Sequence, residues 1–401
     1  MTGPSAFEFC IDWNSPLAAH CERRVLACEL NETGLTEPLT RFGGCLQGLA
    51  PDASCRDLFS PGQLVPAYDP AGVKTIARKH FEVNFAGQVT EPEAGRYYPR
   101  AIIAAALGCS KRELAPFLLS RVEEDQLGID LNHPLARFGL TLGARRRELQ
   151  QPLDSIPAQT AALVALLTGN GPGMQASANV AAAGWFANYP FECEDAQQDS
   201  LFYRTPRLVP HIDSTASAEV GAIYARLIKP GAQVLDLMSS WTSHLSDADG
   251  PVAVTGLGLN EQELAKNPRL DARVIHDLNE SPVLPFEDQA FDLVICTASV
   301  EYLTRPIEVF RDVGRVLKPG GVFVNTFSNR WFPPKAIRLW ARLHPFERLG
   351  LVLNYYRRAE VFVDLHTESL QGLPRPPGDK YSGRLPFSDP VFAVWGRREE
   401  K

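Results

Sequence analysis

Long apolar runs are missing from this 401-residue chain. Its most apolar stretches, 101–109 (AIIAAALGC) and 161–169 (AALVALLTG), are half the length that a bilayer-crossing helix needs. The opening, MTGPSAFEFCIDWN, has no basic segment followed by an apolar run, so no secretory signal is expected there. Charge of one sign is scarce as well: 40 basic against 47 acidic residues leave a net −7. That charge divides as −2 over 1–150, −3 over 151–210 and −2 over 211–401. No part is basic enough to neutralise a run of phosphates, which excludes a non-specific nucleic-acid binder. The expectation is a soluble, cytoplasmic protein with neither nucleic acid nor membrane as partner.

Metal-ligand spacing is also absent. No two of the eight cysteines are spaced CxxC, and the eight histidines include no HxxxH or HExxH pair. Five cysteines fall within the first 55 residues, and their density is too low for a disulfide scaffold. Buried, reduced thiols and no metal are the expectation. An apolar fraction of 45% on a chain this long can build large cores without such staples.

The chain changes character twice. Residues 1–150 hold short apolar runs broken by Gly and Pro, among them 24–30 (RVLACEL), 55–59 (CRDLF), 116–122 (PFLLSRV) and 127–131 (LGIDL). They predict a mostly β, α+β domain. Residues 151–210 are rich in Ala, Gly, Pro, Asn and Gln and read as a connector with one helix near 157–167. From 211 onward strands and helices alternate. An amphipathic helix over 214–228, capped by Ser214 or Thr215, leads into the apolar run 233–237 (QVLDL). Further strands fit 252–257, 273–276, 291–296, 321–327, 360–366 and 390–396, with helices at 260–266 and 305–317. This alternation predicts a seven-stranded, doubly wound α/β sheet with an antiparallel hairpin at its edge.

In such sheets ligands bind beyond the carboxyl ends of the strands, where the strand order reverses. Those ends read Asp236 before 238–244 (MSSWTSH), 256–261 (GLGLNE), His276-Asp277-Leu278-Asn279, and Thr297-Ala298-Ser299 before Val300-Glu301-Tyr302. With 282–286 (PVLPF), 289–296 (QAFDLVIC) and 312–324 (DVGRVLKPGGVFV), the region 211–400 resembles class I S-adenosylmethionine-dependent methyltransferases of the type 11 kind. The resemblance implies a Rossmann-like sheet, S-adenosylmethionine as cofactor and methyl transfer to an acceptor that the sequence does not name. It implies that Asp236 organises the first loop and meets the cofactor's amino group. Met238, Ser239, Ser240, Gly256, Gly258 and Asn260 would flank the cofactor, Asp277 and Leu278 the adenine, and Thr297 the methionine portion. Glu301, Tyr302 and His244 are the candidates for contact with the acceptor or for a base. Trp331, Phe332, Pro333 and Pro334 could wall its pocket. Two positions depart from the pattern. Serines stand where the family places loop glycines, and Gly258 stands where an acid usually holds the ribose.

Residues 116–142 (PFLLSRVEEDQLGIDLNHPLARFGLTL), with the NHPLA turn at 132–136, resemble the end of FKBP-type peptidyl-prolyl isomerases of the SlyD-like branch. The pieces 45–49 (CLQGL) and 61–81 resemble earlier parts of that family, and 82–122 its inserted flap. The resemblance implies an aromatic cradle, with Tyr68, Tyr97, Tyr98 and Phe117 as candidates, and a proline-containing or unfolded polypeptide as partner. Arg137 replaces the glycine expected after NHPLA. The domains expected are 1–150 FKBP-like, 151–210 connector and 211–401 methyltransferase. Three readings stand: a methyltransferase with an appended peptide-binding or isomerase domain, a prolyl isomerase or chaperone with a secondary methyltransferase half, and a scaffold in which both halves are non-catalytic.

Overall fold

The computed structural model describes residues 5–29, 35–50, 53–85, 87–149, 151–157, 159–176, 191–246 and 252–400. The chain divides into two compact units, Met1–Asn188 with Leu343–Leu351, and Tyr189–Arg342 with Val352–Lys401. The stretch 151–210 is thus shared between the units, and a short piece of the distal chain belongs to the first. No helix among the described residues is long and apolar enough to cross a membrane.

The first unit starts with β1 (Ser5–Asn14) and β2 (Ala19–Glu29), an antiparallel hairpin. At its turn the Ser15 hydroxyl accepts the amides of Leu17 and Ala18. Alternate residues of β1, namely Phe7, Phe9, Ile11 and Trp13, join a core with Phe42 and Leu46 of the helix Thr40–Gln47. The two-residue period of a strand places them on one face. On the other face Glu8 is held by Arg145, Arg147 and Arg23. β3 (Ser54–Phe59) pairs with the later strand Leu140–Arg146, which in turn pairs with β1. A second sheet has the order β4 (Val73–Ala77), Gln126–Asp130, Pro116–Val122, Arg96–Pro99. In chain order its last three strands are β9, β8 and β7, following the minimal hairpin β5 (Asn84–Phe85) and β6 (Gln88–Val89). Leu140–Arg146 is β10, and β11 (Ser155–Pro157) runs parallel to β2.

The four aromatics expected to form a cradle separate here. Tyr98 faces Phe117 across the β7–β8 pair, and both are buried in a core with Phe81, Leu127 and Ile129. The Tyr98 hydroxyl is also used, accepting the Glu93 amide and donating to the Glu91 carbonyl. Tyr97, one residue earlier, points to the opposite face and borders a cavity with Tyr68, whose ring lies 3.3 Å from the Arg137 guanidinium. Strand parity therefore separates Tyr97 from Tyr98.

The second unit is a sheet of β12 (Gln233–Leu237), β13 (Ala253–Gly258), β14 (Ala272–Ile275), β15 (Phe291–Thr297), β16 (Leu317–Phe327), β17 (Phe362–Gln371) and β18 (Val391–Arg398). Their order is β14-β13-β12-β15-β16-β18-β17. β12 to β16 are parallel, and β18 enters antiparallel between β16 and β17. β12 sits where the order reverses, with its successor on one side and β15 on the other. The Lys318-Pro319-Gly320-Gly321 turn lies within β16 as a register shift against β15, with Gly320 at φ +70°.

The helix Ser214–Leu227 precedes β12, and its N-cap is Asp213 rather than Ser214 or Thr215. The Asp213 carboxylate accepts the Ala216 amide and the Ser388 hydroxyl and pairs with buried Arg375, which also pairs with Asp389 and Asp379. A carboxylate caps more strongly when a cation and a hydroxyl fix it in place. Asp213→Ala should cost about 3 kcal/mol, from the lost cap and a partly uncompensated buried guanidinium. Ser214→Ala and Thr215→Ala should each stay within about 0.5 kcal/mol. Urea unfolding of the three variants distinguishes these outcomes.

Candidate functional site

A cleft with a cavity volume of about 100 Å3 opens in the second unit beyond the carboxyl ends of β12–β15. Asp236, Met238, Ser239, Ser240, Gly258, Asn260, Asp277, Leu278 and Thr297 line it, together with His244 and Tyr302. Two expected residues do not. Gly256 lies within β13 with the Leu270 side chain against it. Glu301 is fully buried away from the cleft, in the turn Val300–Tyr302. Its place after β15 looked exposed to the acceptor, but the turn directs Tyr302, and not Glu301, to the cleft.

The floor is built on Asp236. Its Oδ2 accepts the hydroxyls of Ser239 and Ser243, each at 2.6 Å. Asn267 extends this network by donating to Ser243 Oγ and to the Ser240 carbonyl, both at 2.9 Å. Burial pushes the Asp236 carboxyl up to about 6, against the two serine hydrogen bonds that hold it down. The loop is thus tied by hydroxyls where glycines were expected. Three non-glycine residues bordering the cleft, Met238, His244 and Ala298, hold φ of +56°, +56° and +48°. Each such conformation costs of order 1 kcal/mol and persists only where surrounding contacts fix it.

Gly258 follows from the same loop. A Cβ built there would lie 2.3 Å from the Ser239 carbonyl oxygen. The loop occupies the space that a side chain at 258 would take, so the acid usual at this position has no room. Asn260 cannot replace it. Its Oδ1 caps the helix Glu261–Lys266 by accepting the amides of Gln262 and Glu263, and its Nδ2 donates to the carbonyls of Tyr203 and Arg204. An acid on that helix that also borders the cleft is Glu263, which accepts the Ser240 hydroxyl at 2.7 Å and the Arg207 amide at 2.6 Å. In the sequence Asn260-x-x-Glu263 has the spacing of a capping box. The glutamate instead turns to the loop.

Asp277 Oδ1 accepts the amides of Asn279 and Glu280, closing a turn, and Leu278 is buried beside it. The Thr297 hydroxyl is bound to Tyr224 at 2.5 Å. The Tyr302 hydroxyl accepts the Phe332 amide at 2.9 Å, and burial raises its pKa well above that of an ordinary tyrosine. His244 bonds to Ser217 through Nδ1, and burial lowers it to about 4, so it is neutral near pH 7. Of the aromatic-proline turn, Phe332 lines the cleft.

Sequence reasoning missed the fourth wall. Asp199, Tyr203, Arg207 and His211, all in or just after the expected connector, border the cleft. Lys335 fixes this segment: its buried ammonium lies 3.0 Å from Asp199, 3.5 Å from Asp195 and 2.6 Å from the Gln197 carbonyl. Asn279 adds a bond from Nδ2 to Asp199 at 2.7 Å. Nothing in the local composition marked the segment, because its role arises from contacts with residues 56 to 138 positions away.

Residues 239–325 match the family described as "Methyltransferase domain". Among curated proteins, the ubiquinone/menaquinone biosynthesis C-methyltransferase UbiE of Laribacter hongkongensis is 29% identical over 135 residues, 31% of this chain and 54% of that protein. A demethylmenaquinone methyltransferase of Staphylococcus aureus is 31% identical over 106 residues, 24% of this chain and 43% of that one. The chain spans about half the length of these curated relatives. Among solved structures, an S-adenosylmethionine-dependent methyltransferase from Mesorhizobium loti is 20% identical with a TM-score of 0.30, covering 45% of this chain and 98% of that one. Within the second unit, the matched residues 239–325 run from the loop after β12 into β16 of the sheet described above. The cofactor that this family match implies is S-adenosylmethionine.

Returning the family's acid, by Gly258→Asp, should weaken cofactor binding at least about ten-fold rather than improve it, since the new side chain displaces the Ser239 carbonyl. Calorimetric titration with S-adenosylhomocysteine reads this directly. Binding equal to or tighter than that of the parent protein would refute the steric account.

Proposed function

We propose that this chain transfers a methyl group from S-adenosylmethionine to a nucleophilic acceptor. The observation that carries the reading is the buried Asp236 carboxylate, at the end of the strand where the sheet order reverses and lining the cleft. The residues present fit the cofactor. Asp236 offers a carboxylate in a low-dielectric site for the amino group of the methionine portion. Glu263 offers the acceptor oxygens for ribose hydroxyls that residue 258 does not supply. Asp277 and Leu278 together offer a polar edge and an apolar face for the adenine.

When bound, the cofactor supplies an electrophilic methyl group on a sulfonium. What the chain contributes is orientation and exclusion of water. Tyr302 and Phe332, with ring centroids 6.2 Å apart and planes at 27°, form an apolar wall. Neutral His244 can accept a proton if the acceptor must lose one. The Tyr302 hydroxyl, held by the Phe332 amide and with a raised pKa, stays protonated and serves as a positioning group.

The test is calorimetric titration with S-adenosylmethionine and S-adenosylhomocysteine. Micromolar binding that Asp236→Ala abolishes is the expected result, and no binding at millimolar ligand would sink the reading. The pH dependence has a definite sign. The Asp236 carboxyl in the free protein ionises near pH 6, so below that it is neutral and meets the ammonium without charge. Affinity should therefore fall by up to about ten-fold per pH unit below 6 and be level above about pH 7. Asp236→Asn should bind more weakly and lose this slope.

A further inference from the structure

The charged groups bordering the cleft are satisfied within the protein, with one exception. Asp199 has Lys335, Asp236 has two serines, Glu263 has Ser240 and a backbone amide, and Asp277 has two turn amides. Arg207 has no such partner. Its guanidinium carbon lies 4.0 Å from the Phe202 ring centroid and 4.9 Å from that of Phe332. It makes one long hydrogen bond, from Nη2 to the Phe202 carbonyl at 3.4 Å. Its Nη1 is buried and makes no hydrogen bond within the protein. Among the described residues it forms no ion pair.

A buried donor without an acceptor is costly, and a guanidinium held against aromatic faces has already lost the freedom that binding would remove. Such a fork matches a planar anion, which it grips with two parallel hydrogen bonds. We propose that Arg207 anchors a methyl acceptor that carries a carboxylate, with the body of that acceptor against Phe332 and Tyr302. The proposal rests on the methyltransferase reading. Electrostatics favour it further: a sulfonium cofactor and Arg207 are like charges in one cleft, and an anion between them offsets their repulsion.

The experiment uses the full chain, first titrated with S-adenosylhomocysteine and then, when saturated, with benzoate or benzamide as probes. The two probes have one shape and differ in charge. Benzoate should bind at least about ten-fold more tightly than benzamide, and Arg207→Gln should abolish that preference while leaving affinity for S-adenosylhomocysteine unchanged. Arg207→Lys should restore part of it, as a point charge without the fork. Equal binding of the two probes, binding of neither at millimolar concentration, or a preference that survives in Arg207→Gln would overturn the proposal. So would a second pattern, in which Arg207→Gln weakens S-adenosylhomocysteine ten-fold or more but leaves 5′-methylthioadenosine, which lacks the carboxylate, unaffected. That result would assign Arg207 to the cofactor's amino-acid end. Failure of the parent protein to bind S-adenosylhomocysteine would remove the methyltransferase reading itself, and this proposal with it.

Discussion

The Asp236 carboxylate is buried at the end of β12 with two serine hydroxyls on one of its oxygens, and the shape of the cleft depends on that bond pair. A buried charge is tolerated only where hydrogen bonds replace water. Here the bonds come from the loop that follows, so the carboxylate and the loop fix each other. Fixing the loop this way brings the Ser239 carbonyl over β13, which leaves space at position 258 for a glycine alone. Two departures that look independent in the sequence, serines in the loop and a missing acid on the next strand, are therefore one structural change.

The same logic extends to the segment before the helix Ser214–Leu227. It has little core of its own, and polar pins hold it: Lys335 to Asp195 and Asp199, Asn279 to Asp199, Asn260 to two carbonyls, and Asp213 to Arg375. Each pin is buried or partly buried, where an unpaired partner would be expensive. These pins order the segment together with the Phe202 ring, which packs edge-on against Phe332 at 6.2 Å. The helix start shows the effect most clearly. Asp213 takes the cap from Ser214 and Thr215 because Ser388 and Arg375 hold its carboxylate in position.

The α/β alternation of the second unit was legible in the sequence because its strands are continuous apolar runs with polar residues at their carboxyl ends. That pattern has few other physical explanations. The positions that border the cleft from the strand ends, such as Asp236, Asp277 and Thr297, were legible for the same reason. What was not legible depends on side-chain direction or on distant partners. Asn260 looked like a ligand contact but spends its whole amide on a helix cap and two carbonyls. Glu301 looked like a base and is buried, since a single tight turn decides which of two neighbours faces the cleft. In the first unit, Tyr97 and Tyr98 illustrate the same limit, because adjacent strand residues cannot share a face and a set of four aromatics could not stay together.

This contrast separates the two sides of the cleft. On the cofactor side Asp236, Asp277 and Thr297 sit at or just beyond strand ends, where the topology of a parallel sheet dictates their position, whereas Glu263 lies on the following helix and was not found from the sequence. The other side is assembled from the segment 199–211, from Tyr302 and from Phe332, three pieces that the fold brings together and that no local pattern links. Cofactor chemistry can accordingly be inferred from the sheet, whereas acceptor chemistry cannot. Only the assembled wall carries information about the acceptor, and what it presents is one guanidinium between aromatic faces in a cleft whose other charges are already satisfied.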